Sequence, residues 1–279
     1  MSTKPESALL LEPGSPRSDP EIVRVVAREL NLVAADVIAQ IRYGGGILVS
    51  RGKETALKTI RDQLEEIGIH TCVAPTEALA ALPRGIRVTS IDLREETLIV
   101  QTPSGREIVL LSTDVEALHV HARKQDSQSD RGQDENLRVP LFSARKEGQI
   151  SARGLRILDW IEELGGQPPQ FVLTLYTSDP VGPIRIERES ADYSLLGDKK
   201  MSHSIDNFVL LADFLAQRYP HALNRDRLVS FVEGADLQEI LYYKPEEAQN
   251  FDRWIQAWIF LHDLARTHDQ PDNETIDEE

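Results

Sequence analysis

Two histidines are the first residues of this chain whose type and spacing could do chemistry. His119 and His121 alternate in the run Val115-Glu-Ala-Leu-His-Val-His121, so on a strand both side chains leave one face, a spacing that a metal site on a sheet can use. With a bound metal the pair would point to a hydrolase. No His-Glu-x-x-His run or matched third ligand accompanies them, and Asp114 and His203 are unremarkable as remote ligands. Half-exposed strand histidines are therefore the simpler reading, and no metal or other cofactor is expected. The second candidate is Tyr43-Gly-Gly-Gly-Ile-Leu-Val-Ser-Arg-Gly-Lys-Glu-Thr55, which has the composition of a phosphate loop. Such a loop needs a strand, then glycines, then a helix whose amides face the phosphate, at the spacing G-x-x-x-x-G-K-[ST]. Here the strand lies between the glycines, five residues separate Gly46 from Gly52, and Glu54 stands where a Mg-binding hydroxyl belongs. The glycines are read as the backbone freedom that ends a helix and turns into a strand.

The remaining chemistry-bearing groups have structural readings. Ser202-His-Ser204 is read as a helix start with Ser204 as N-cap, and no Gly-x-Ser-x-Gly elbow is present. Glu95-Glu96 and Glu162-Glu163 fall at turn or helix-surface positions and are read as solvated charge. Near the C-terminus, Phe251, Trp254, Ile255, Trp258, Leu261 and Ala265 make one helical stripe, which Ile259, Phe260 and Leu264 widen. Packing into the protein's own core is one reading of it. The other makes Phe251, Trp254 and Trp258 candidates for binding a partner, because tryptophans are enriched among binding hot spots.

Composition narrows the classes of partner. The chain has 279 residues, 41% of them hydrophobic and 28% charged, with a formal net charge of -15. Nucleic-acid binding needs clustered Lys and Arg to displace counterions, and an anionic membrane surface needs the same charge, so neither ligand is expected. One cysteine, Cys72, excludes an intramolecular disulfide and suits a reducing compartment. No apolar run has the length of a membrane span or of a signal-peptide core, and a cytoplasmic location is expected. The acidic tail, residues 269–279, has too little apolar surface to fold and reads as disordered.

The elements that must position these residues fall into four regions. Residues 1–82 read as a βααβαβ unit: Ala8–Leu11 as a strand, a helix capped by Asp19-Pro20 and broken by Asn31, and a second helix carrying Ala34, Val37, Ile38 and Ile41. Ile47–Val49 follows as a strand, then a helix from Lys53 to Ile67, and a last strand over Ile69–Val73 in which Cys72 reads as a buried structural thiol. From residue 84 to 222 the period changes to two. Arg87–Leu93, Thr97–Gln101, Glu107–Leu111 and Val115–His121 read as four strands of an antiparallel meander. A flexible insertion at about 123–168 holds the amphipathic segment Gly154–Gly165. Two more strands and a helix from Ser204 to Tyr219, with Ile205, Phe208, Val209, Ala212, Leu215, Ala216 and Tyr219 on one stripe, complete the domain. Residues 223–268 read as a C-terminal helical region. The class is α+β.

The stretch from Leu32 to Ile41, the glycine turn, and Leu64-Glu-Glu-Ile-Gly-Ile-His-Thr-Cys-Val73 resemble the C-terminal domain of the bacterial ribosomal stalk protein. That resemblance implies a small partner-docking α+β domain. The stalk domain recruits factors through lysines, and the matching positions here hold Ile22, Val25 and Asp36. Short strands followed by a capping helix resemble the pleckstrin-homology superfold with an insertion between its fourth and fifth strands. The family's lipid-binding basic residues are replaced by Arg94-Glu-Glu96. Asp206–Ala222 resembles a recurrent segment of uncharacterised bacterial proteins, which implies nothing about activity. The expectation is a non-catalytic cytoplasmic interaction or adaptor protein whose partner is another protein or a second copy. The alternative is a metal-dependent hydrolase using His119 and His121.

Overall fold

The computed structural model describes residues 6–15, 19–79, 85–94, 97–111, 113–123, 151–164, 169–178, 183–235, 237–242 and 244–268. Most of the expected insertion, residues 124–150 and 165–168, and the acidic tail 269–279 lie outside them. The protein is α+β, and its chain separates into two compact units, Met1–Leu82 with Glu246–Glu279, and Pro83–Pro245. Among the described residues no helix is long and apolar enough to cross a membrane.

In the first unit β1 (Glu6–Leu11) is the middle of three strands, antiparallel to β2 (Ile47–Lys53) and to β3 (Thr71–Pro75). Helices α1 (Pro20–Leu30) and α2 (Ala34–Tyr43) connect β1 to β2, and α3 (Glu54–Glu65) connects β2 to β3. The start of α1 follows from local chemistry: the Asp19 carboxylate accepts the Glu21 N–H at 2.8 Å, and Pro20 occupies a position whose N–H needs no partner. Asn31, at φ 53°, ends the helix in the left-handed region. Ile22, Val25 and Val26 of α1 and Leu57, Ile60 and Leu64 of α3 close over Leu9, Leu11, Leu48 and Val49. From α2 only Val37 and Ile41 join them, whereas Ile38, expected on the same face, is exposed.

Ala8 and Leu10, on the other face of β1, are also fully buried, and a strand buried on both faces needs cover on both. The last helix, α7 (Pro245–His268), is tied to this unit. Trp254 Nε1 and Trp258 Nε1 both donate to the Leu11 carbonyl, at 2.7 and 3.0 Å. Asn250 Nδ2 donates to the Tyr43 carbonyl and Arg253 Nε to the Leu79 carbonyl, each at 3.0 Å. Residues 223–268 are thus shared between the units, since α6 (Arg225–Glu233) belongs to the second.

The second unit holds two sheets. β5 (Ser90–Arg94), β6 (Thr97–Gln101) and β7 (Glu107–Leu111) form a three-stranded antiparallel meander. The fourth expected strand leaves it: β8 (Val115–Arg123) pairs with β9 (Gln170–Thr177) inside a second sheet of five strands. Here β4 (Ile86–Val88) runs parallel to β10 (Ile184–Glu187), and β11 (Leu241–Tyr242) parallel to β8, so the sheet is mixed rather than antiparallel. The single strand expected over Arg87–Leu93 is divided at Thr89, whose N–H turns to the Gln101 carbonyl and whose carbonyl accepts the Asp192 N–H. Helices α4 (Ala152–Glu163), α5 (Ser204–Arg218) and α6 cover one sheet face. There Phe171 packs 6.0 Å, centroid to centroid, from both Phe208 and Phe231. The N-cap of α5 is His203, not Ser204, and makes no side-chain capping bond.

Candidate functional site

Alternation along β8 sends Leu118, Val120 and Ala122 into the helical core and His119 and His121 to the opposite face. Register extends that face into a polar row: His119 stands opposite Thr174 on β9, and Thr174 opposite Arg185 on β10, which pairs with Arg87 on β4. The structure therefore brings the two histidines together, their rings stacked with centroids 5.4 Å apart. It also buries both, contrary to the half-exposed reading.

The two rings are held differently. Asn224 Nδ2 lies 3.0 Å from the Leu118 carbonyl and 3.3 Å from His119 Nδ1, so its two hydrogens are both donated. His119 Nδ1 is then an acceptor, and the ring proton sits on Nε2, 3.2 Å from the Tyr242 hydroxyl. Each nitrogen of His119 already serves a protein group. Among the described residues His121 Nδ1 is buried without a hydrogen-bond partner, as is the Thr174 hydroxyl. Burial, and after it the charges of Arg185 and Arg123, lowers the His121 pKa to about 3. Chemically this is a polar row in which the His121 imidazole stays neutral beside the cationic Arg185. Among the described residues no group of three or more His, Cys, Asp or Glu gathers as a metal site. Asp114 caps its own turn, accepting the Leu111 N–H at 2.7 Å.

The glycine turn has a packing explanation. Gly45 and Gly46 adopt φ of +65° and +119°, where side chains are strained. A Cβ on Gly45 would lie 2.5 Å from the Phe251 backbone nitrogen, and one on Gly46 would lie 2.5 Å from the Trp254 ring. These glycines make room for α7. The same contacts correct the partner-binding reading of Phe251 and Trp254, which are buried. Trp258 is half-buried, with its N–H committed to Leu11. Cys72 is half-buried rather than enclosed, and burial raises its thiol pKa.

One surface was not read from the sequence as a site. Around α2 the run from Asn31 to Asp36 is exposed, and so are Ile38 and Ala39. Leu32, Val33 and Ile38 are 43%, 67% and 53% exposed, and Ile67, beyond α3, is 45% exposed. Gln63 links the ends of α1 and α3: its Nε2 donates to the Glu29 carboxylate at 3.1 Å, and its Oε1 accepts from Arg28. Leu32 and Ile67 therefore emerge at the same end of the unit. The Gln63 amide, and then Arg28, hold the Glu29 carboxyl below its usual pKa. The available signal was the breadth of the apolar pattern. Ala34, Ala35, Val37, Ile38, Ala39 and Ile41 exceed what one buried face of ten residues accommodates. No protein-family model matches the chain, and searches of curated proteins and of solved structures found no match.

Proposed function

We propose that this is a non-catalytic interaction protein whose first unit docks a protein partner through the outward face of α2 and the adjoining Leu32, Val33 and Ile67. The observation that carries the reading is the exposure of Leu32, Val33 and Ile38 on and beside one helix, since grouped exposed hydrophobics mark interaction surfaces where scattered ones do not. The likeness of residues 1–82 to a partner-docking domain of the ribosomal stalk supports it, and the net charge of -15 favours protein over nucleic acid or an anionic membrane. A cytoplasmic setting, suited to the lone Cys72, belongs to the same proposal. His119 and His121 serve the packing of the second unit, with Asn224 and Tyr242 as their neighbours.

A photocrosslinking residue in place of Ile38, in the full chain expressed in cells, tests the reading. A discrete protein adduct, absent when the same residue replaces exposed Thr55 on α3, is the expected result. Adduct patterns that do not differ between the two positions would overturn it.

A further inference from the structure

We draw no further inference here: the strongest candidate, the outward face of α2 with Leu32, Val33 and Ile38, belongs to the site already described, and nothing in the structure shows what covers it.

Discussion

In the first unit a single backbone carbonyl, that of Leu11, accepts two indole N–H bonds. In the second, the Nδ1 of His121 and the hydroxyl of Thr174 are buried with no hydrogen-bond partner among the described residues. Both regions drew attention because their residue types are those of functional sites. The tryptophans of α7 are fixed to the fold by their polar atoms as well as their rings, which makes them structural. The histidines are divided: His119 has a group at each nitrogen, while His121 is retained for shape at the cost of an unmet nitrogen. Residue type nominates a site, and the fate of its polar atoms decides whether it stays available to a ligand.

The largest effects belong to the α7 clamp. Trp254→Ala removes a fully buried ring and one bond to Leu11, and is expected to lower stability by about 3–5 kcal/mol in urea unfolding. Trp258→Ala should cost less, because that ring is half-buried. Equal losses would break the ranking. Residues 1–82 expressed alone lack the cover that α7 supplies and should unfold non-cooperatively or not fold at all. Gly46→Ala comes next, at about 1–3 kcal/mol, from a strained positive φ and a Cβ pressed on the Trp254 ring. If the clash is the cause, Gly46→Ala made in the Trp254→Ala background should cost measurably less, a coupling that a double-mutant cycle reads directly.

Smaller effects sharpen the comparison on the histidine side. His119→Phe removes the acceptor of the Asn224 N–H and the ring nitrogen bonded to the Tyr242 hydroxyl, for an expected loss of about 1–3 kcal/mol. Its measurement is the urea midpoint at neutral pH, and an unchanged midpoint would mean those bonds contribute nothing net.

What the sequence revealed follows from the range of the physics involved. The stripe of α5 from Ile205 to Ala216 was legible because one interface fixes its period, and every expected position is buried. The cap at Asp19-Pro20 was legible because it is local. The division of Arg87–Leu93 at Thr89 was not, since both halves remain extended and only their distant partners, β10 and β6, differ. Nor was the docking of α7, in which Gly45 and Gly46 meet a helix some two hundred residues later in the chain. Glycine's composition signal is the same whether its missing Cβ makes room for a phosphate or for an indole. For the candidate surface, Ile38 was assigned to the core because one apolar pattern covered both the buried and the exposed face of α2.

The smallest expected change at neutral pH is that of His121→Phe. Replacing a neutral imidazole, whose Nδ1 has no hydrogen-bond partner among the described residues, by a ring of similar shape removes one unmet nitrogen, so the two proteins should agree within about 1 kcal/mol near pH 7.5. They should diverge in acid, and the sign is fixed. Burial, then Arg185 and Arg123, holds the folded His121 pKa near 3, below an unfolded value of about 6.5. Between these values the unfolded chain binds a proton that the folded chain refuses, so stability contributed by this residue is full above the unfolded pKa and falls as pH drops. The slope approaches about 1.4 kcal/mol per pH unit and levels off near the folded value. Subtracting the His121→Phe curve from that of the wild type cancels the other titrating groups, and the difference should open between about pH 6 and pH 4 with the variant the more stable protein. Parallel curves would mean that His121 carries its proton in the fold, and the contrast drawn between the satisfied indoles and the unsatisfied imidazole would fail with it.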